Sequence, residues 1–458
     1  MVRVFRGAMD GRGAAVTDQL IELSTEAYVV GFPLVFDLEQ VVRFTEEGIG
    51  SVPPTPYNSF GHARELAGPD DTFVSINNDT VYSIAQVDLG VGPVRLSVPA
   101  AGDRYFVLQF VDAWTNNFAY IGTRATGGEG GEFLLLPPDD EAAPDTSGLP
   151  AIRFPTRVAT IVGRWAVDGA DDLPAVHALQ DALMLTPLRQ TLVPPQGVPA
   201  VDGGQGEALD FFEKLRVWSQ AFPPALRDRP ALESYAPLGL VSPYTIAEQP
   251  EGVRQALAAG YALGKDALES ALRTSGTLTD HWAVNLHVFD YNLDFFELGA
   301  IDAPEWKLND PRTRYAHRAA AALGGLWGNH AYEAAYIMTY EDADGEPLSG
   351  EHVYRLRLNP TPPVGAFWSL TMYDLPHYYL VANPIDRYSV GDRTRGLVYD
   401  DDGGLTITMS ATRPTDEKAA ANWLPAPTGR FRPILRLYLP GDEVLDGRYG
   451  IPAIERIG

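Results

Sequence analysis

Asp79, Asp112 and Asp374 each stand where an apolar, strand-like run begins or ends, in the company of amides and aromatic rings. Two carboxylates facing one cavity can divide into general acid and general base once burial separates their pKa values. Glycoside cleavage by such a pair depends on the distance between the two carboxyl groups. The first cluster is Asn77-Asn78-Asp79-Thr80, ahead of an alternating run that sets Val81, Ser83 and Ala85 against Tyr82, Ile84 and Gln86. The second is Asp112, Trp114, Asn116 and Asn117, with Arg124 downstream as an ion partner for one of the acids. The third mixes Trp368, Thr371, Tyr373, Asp374, His377, Tyr378, Asn383 and Arg387, and Trp423 before the Pro-bounded residues 424–427 is either a lid or a packed connection. Aromatic planes beside Asn, Asp and Arg suit sugars or other polyols, whose C–H faces stack while their hydroxyls take the polar groups. The same residues also make ordinary turn caps, because Asn and Asp side chains bond their own backbone. Asp79 with Asp112 is the favoured acid pair, on neighbouring strand ends of one domain; Asp112 with Asp374 across a domain boundary is the other.

The elements that must hold these groups come from a pattern the chain writes twice. Residues 94–98, a proline at 99 and the run 105–112 have a counterpart in residues 354–358, a proline at 360 and the run 367–374. Residues two apart on a strand share a face, so Phe106, Leu108, Phe110 and Asp112 point one way, as do Trp368, Leu370, Met372 and Asp374. Helical spacing marks residues 17–32, closed by Pro33, and a second short helix over 34–44. Strand-length runs broken by Gly, Pro and Asn-Asp turns occupy 73–167, and an acidic, proline-led start predicts a helix from 171 through 185. After a Pro/Gly-rich linker at 194–206, helices are expected over 209–222, 252–274 (with Gly276 as terminator) and 313–323. A second strand-rich stretch runs from Tyr332 to the end, with turns at 342–345 and 400–404. The fold class implied is α+β multidomain: two related antiparallel β-sandwich or jelly-roll-like domains with N-terminal and central helical segments. The expected division is 1–45, 46–193, 194–331 and 332–458.

Composition narrows the partners. The chain has 458 residues, a net charge of -25 and no cysteine, with a pI near 4.6 and mean hydropathy of -0.11. Such acidity repels phosphate backbones and anionic lipid, which argues against nucleic acid. No long uncharged apolar run supports a membrane span, and the first eight residues lack the apolar stretch of a secretory signal, so the cytoplasm is the default expectation unless a leader has been removed. Thiolate catalysis, Cys-ligated zinc and iron–sulfur clusters are excluded with the missing thiols. His281 and His287 lack the i, i+4 spacing of paired helical ligands, and HExxH, GxSxG, Walker and GxGxxG motifs do not occur. Residues 342–346 are too short for a calcium loop. No metal and no cofactor are expected, and oligomeric state is not encoded in any legible pattern.

Longer motifs carry a family resemblance. Residues 75–83, Asp88-Leu89, 112–118, Gly163-Arg164 and 171–173 together resemble a bacterial family catalogued as domain of unknown function 1254. Residues 367–374, 383–385, Arg387-Tyr388 and 422–427 resemble its usual C-terminal companion, domain of unknown function 1214. The resemblance implies a two-domain, β-rich protein with helical additions, and no particular reaction, substrate or cofactor.

Three readings of function follow. The leading one is a hydrolase or lyase acting on a sugar-like small molecule through paired carboxylates, for which Asp112→Asn abolishes turnover in a folded protein. The alternative is a non-catalytic protein that holds a small molecule or carbohydrate between the two β domains. The third places the working surface in the helical middle, where Trp282, Asn285, His287, Asp290, Tyr291 and Asp294 gather.

Overall fold

The computed structural model describes residues 11–71, 75–138, 148–189, 193–274 and 277–458. Phe73 and Gly276, which the sequence uses as a domain start and a helix stop, lie outside them. A single helix, α1 (Gly11–Glu46), runs through Pro33 where the sequence predicts two. Proline removes one intrahelical bond and costs about 3 kcal/mol. The residues on either side offset that cost by packing: Ala27, Val30, Leu34, Val35, Leu38 and Phe44 are all buried.

The first sandwich has a larger sheet of β1 (Gly61–His62), β2 (Thr80–Asp88), β4 (Phe106–Asp112), β5 (Asn117–Gly122) and β8 (Val158–Ala166), and a smaller one of β3 (Val94–Val98), β6 (Gly131–Leu136), β7 (Ala151–Arg153) and β9 (Met184–Pro187). Phe106, Leu108, Phe110 and Trp165 meet Leu96, Phe133 and Ile152 in the core between them. The helix expected through residue 185 is shorter: α2 (Leu173–Ala182) stops because β9 turns back to pair with β3.

The helical layer comprises α1 with α3 (Glu207–Ala221), α4 (Arg229–Ser234), α5 (Glu251–Thr274) and α6 (Pro311–Gly325). Asp310 caps α6 by accepting from Thr313 N, and Pro311 occupies its first turn. Phe211, Phe212, Leu215 and Trp218 bury the apolar stripe of α3 against α1.

The second sandwich repeats the first. Its larger sheet orders β10 (Thr277–Thr279), β11 (Trp282–Val284), β12 (Ala334–Met338), β18 (Phe431–Pro440), β14 (Val364–Asp374) and β15 (Ser389–Gly391). The smaller orders β17 (Trp423–Pro425), β16 (Leu405–Ser410), β13 (Tyr354–Leu358) and β19 (Glu455–Arg456). Strand for strand, the order β1-β2-β8-β4-β5 matches β11-β12-β18-β14-β15, and β7-β6-β3-β9 matches β17-β16-β13-β19. Even the one parallel pair in each small sheet, β6 with β7 and β16 with β17, corresponds. Strands β10 and β11 come from the stretch the sequence assigns to helices.

Glycines set the spacing of the helical layer. A Cβ on Gly260 of α5 would lie 2.3 Å from Ser24 Cβ and 2.8 Å from α1 backbone, whereas one on Gly252 would meet open space. Overpacking of this kind typically costs about 1–3 kcal/mol. Gly260→Ala is expected to lose stability of that order in urea melts and Gly252→Ala to lose none; equal behaviour of the two variants would contradict the close helix crossing.

Candidate functional site

The larger sheets of the two sandwiches face each other, and buried polar side chains line the seam between them. On β8, Arg164 pairs with Tyr82 of β2 and Val107 of β4. On β18, Arg436 pairs with Tyr336 of β12 and Ser369 of β14. The register therefore makes Arg164 and Arg436 counterparts, and likewise Tyr82 and Tyr336. Their hydrogen bonds match as well. Arg164 Nη1 donates to Gln109 Oε1 (2.8 Å) and Arg436 Nη1 to Thr371 Oγ1 (3.1 Å), which are equivalent positions of β4 and β14. Each second nitrogen reaches across to the chain leading into the other sandwich: Arg164 Nη2 to Trp327 O (2.7 Å) and Arg436 Nη2 to Ser75 O (2.9 Å).

An acid precedes each tyrosine by three residues. Asp79 Oδ2 accepts from Ser369 Oγ (2.7 Å) and Tyr438 OH (3.3 Å) of the second sandwich. Its counterpart Glu333 accepts from Tyr105 OH (3.0 Å) and Arg124 Nε (2.6 Å) of the first. Arg393, placed after β15 as Arg124 is after β5, donates to Asp79 O (3.2 Å) and lies over the Phe367 ring. Burial raises the Glu333 carboxyl, against the pull of Arg124. Burial also opposes the Arg436 cation, but Tyr373, Tyr438 and Asp79 outweigh it and hold the guanidinium above its ordinary value. Arg164 and Arg436 are 6% and 3% exposed. Tyr82 and Tyr336 beside them are only partly buried.

The seam gathers only part of the residues singled out in the sequence. Asn77 holds a turn, donating to Thr80 Oγ1 and accepting from Asp79 N, and Asn78 donates to Ala67 O; together they deliver Asp79 into the seam. Tyr373 OH reaches Ile76 O (2.6 Å). Asn117 donates to Gly328 O and accepts from Gln109. Arg124 has an acid partner, but it is Glu333 and none of the three aspartates. Trp368 is core. Asn383 closes the turn up to Arg387, whose guanidinium holds Ala421 O and Trp423 O, and Trp423 Nε1 binds Ser410 O. Those three stitch connections within the second sandwich. Asp374 is one-third exposed, accepting from Tyr379 N with His377 at 3.6 Å.

The favoured acid pair does not form. Thr80, next to Asp79, is opposite Ala166 of β8, and Asp112 is opposite Ala159. Seven strand positions (166 − 159) separate them, roughly 23 Å at the strand rise, whereas paired glycosidase carboxyls stand about 5–10 Å apart. Asp374, opposite Phe431, is five positions along β18 from Arg436, roughly 17 Å from the Asp79 contact. Parallel β2 and β4 have neighbouring ends only when the same end is compared; Asp79 precedes one and Asp112 finishes the other.

Asp112 instead holds a strained turn. Its Oδ1 accepts from Trp114 N and Asn116 N and its Oδ2 from Asn116 Nδ2, each at 2.9 Å. Thr115 within the turn has φ 65°, rare for a β-branched residue. Trp114 Nε1 ties the turn to Phe222 O, and Arg318 of α6 donates to Asn116 Oδ1. Burial, partly opposed by Asn116, raises the Asp112 carboxyl to about 6. The acid in its field is Asp37 of α1, itself buried, bonded by Trp327 Nε1 and pushed well up. No group of three or more His, Cys, Asp or Glu suited to a metal ion occurs among the described residues, and none of their helices is long and apolar enough to cross a membrane.

A family described as "Protein of unknown function (DUF1254)" matches residues 57–187, and "Protein of unknown function (DUF1214)" matches residues 333–442. The chain belongs to the family that joins these two domains. DUF1254 supplies Asp79, Tyr82, Tyr105, Arg124 and Arg164 to the seam, and DUF1214 supplies Glu333, Tyr336, Ser369, Arg393, Arg436 and Tyr438. No curated protein matches the chain. The VPA0106 protein from Vibrio parahaemolyticus shares the fold, with a TM-score of 0.71 and 22% identity over 96% of this chain and 100% of that one. An uncharacterized protein from Burkholderia cenocepacia aligns with a TM-score of 0.44 and 13% identity over 98% of this chain and 97% of that one.

The seam residues missed in the sequence had a signal: Arg164 and Arg436 each interrupt an apolar strand, and Asp79-x-x-Tyr82 and Glu333-x-x-Tyr336 share one spacing.

Asp112→Asn tests the turn. The new amide would set donors against Asn116 Nδ2, whose oxygen is already held by Arg318, at a cost of about 1–3 kcal/mol. A carboxyl whose folded pKa lies above its unfolded value stabilises the fold below the unfolded value, and that contribution is lost as pH rises through about 6. The gap in Tm between wild type and Asp112→Asn should therefore be wider at pH 5 than at pH 7.5; a gap independent of pH would contradict this assignment.

Proposed function

We propose that the DUF1254–DUF1214 chain binds a small anionic organic molecule, a carboxylate in the first instance, in the seam between its sandwiches. The observation that carries this reading is Arg164: a buried guanidinium whose hydrogen bonds all go to neutral groups, Gln109, Trp327 O and Asn329. Glu333 lies within its field, but that carboxylate is ion-paired with Arg124. A buried cation without its own counter-charge is costly, and a ligand carboxylate supplies one in the bidentate geometry that guanidinium favours. Arg436 offers the same group from the facing sheet, and Tyr82 and Tyr336 add ring faces and phenol donors to a planar ligand. A concentration of arginines at the centre of a chain with net charge -25 points the same way.

This reading develops the sequence-based alternative of a ligand held between the β domains. Paired-carboxylate catalysis has less support, because Asp79 stands far from both Asp112 and Asp374.

The test is a thermal-shift and calorimetric comparison of benzoate, succinate and citrate with their neutral amides and with uncharged sugars. A ligand at a hundredfold excess over its Kd should stabilise the fold by about 2.7 kcal/mol, and Arg164→Lys should weaken the bound carboxylate about tenfold to a hundredfold through loss of the bidentate contact. Equal stabilisation by amide and acid would sink the anion reading, and a response to sugars alone would return the site to polyols.

A further inference from the structure

Outside both matched regions, the chain between α5 and α6 is pinned along the first sandwich. Asn292 Nδ2 donates to Asn117 O, Glu297 N to Phe118 O, and Tyr120 N to Leu298 O. At its start His287 Nδ1 lies 2.6 Å from Asp290 Oδ2; the imidazole is about half exposed, while Asp290 is 1% exposed. The second oxygen of Asp290 has no hydrogen-bond partner and stands 4.0 Å from His330 Nε2. Trp306 flanks the ring at 5.3 Å. A carboxylate buried behind one ring nitrogen fixes the tautomer, keeps the lone pair on the other nitrogen and stabilises the imidazolium when it forms.

We propose that His287 is a general base, positioned by Asp290, for hydrolysis of small neutral acyl esters at this face. In the reaction Nε2 takes a proton from water as the water oxygen bonds to the ester carbonyl carbon. The C–O bond to the alcohol then breaks, and the imidazolium returns the proton to the departing oxygen, leaving acid and alcohol. No metal or external oxidant enters the balance. Neutral esters are favoured because the net charge of -25 opposes anionic ones.

The titratable groups facing the pair are His317 from α6, lowered by burial, His330, lowered by burial to about 3, and Asp290 itself, whose hydrogen bond raises His287. Elsewhere the chain provides an internal control. His377 also has an aspartate three residues away, but at 3.6 Å and with Asp374 one-third exposed.

The experiment is hydrolysis of p-nitrophenyl acetate by the full chain across pH 5–9. Wild type should exceed free imidazole at equal concentration. His287→Ala and His287→Gln should each lose about a hundredfold in kcat/KM, the glutamine amide keeping a donor for Asp290 and so more of the stability, and His377→Ala should lose nothing. Asp290→Asn should lower kcat more than it changes KM and move the rising limb of the pH profile toward the ordinary histidine value of about 6.5. Undiminished hydrolysis in either His287 variant, or a wild-type rate no better than imidazole, overturns the proposal. Neither outcome bears on the seam, which shares no residue with this pair.

Discussion

Two guanidiniums, each donated by one sandwich to the chain entering the other, are the constraint around which this molecule is organised. Arg164 closes on Trp327 O and Arg436 on Ser75 O, and both carbonyls belong to residues with left-handed backbone, φ 61° and 55°. Such conformations are held only when their surroundings over-determine them. Separating the sandwiches would break both bonds and release two strained residues together. Hydrogen bonds to charged groups are typically worth about 1.5–3 kcal/mol each, so the seam is first of all a structural commitment.

From that commitment the surrounding arrangement follows. Asp79 and Glu333 each accept hydroxyls from the opposite sandwich, which fixes the register of one sheet against the other. Arg124 and Arg393 close the two ends, one on a carboxylate and the other on a carbonyl. The helical layer is fastened to the far end of the first sheet through the Asp112 turn, where Trp114 bonds the end of α3 and Arg318 of α6 bonds Asn116. Within a strongly negative chain, arginines gather at the seam, and acids are buried as well. Its buried acids Asp37, Asp112 and Glu333 are shifted toward the neutral form, since desolvation penalises their charge.

The duplication was legible in residues 94–112 and 354–374, because alternating apolar residues and a fixed proline survive as pattern. Its extension to the whole sandwich was harder to read, since the matching strands β8 and β18 are buried on both faces and lose the alternation that marks a half-exposed strand. Their one telling feature is the arginine that interrupts the apolar run of each, Arg164 in β8 and Arg436 in β18. The helix break at Pro33 and the helix over 171–185 were misplaced for a related reason: local propensity is worth a few kcal/mol, and packing of α1 or pairing of β9 exceeds it.

What the amino-acid sequence determines alone is therefore local and periodic: which runs are strands, which acids cap turns, that two halves are copies, and that the chain repels anions at its surface. Which groups share a site was decided by tertiary structure. Asp79 and Asp112 look alike in sequence, but strand direction sets them at opposite ends of a sheet, while Arg164 and Arg436, far apart in the chain, face one seam because two copied sheets pack face to face. Proximity across a sheet depends on register and direction, and neither is written in the spacing of residues along one strand.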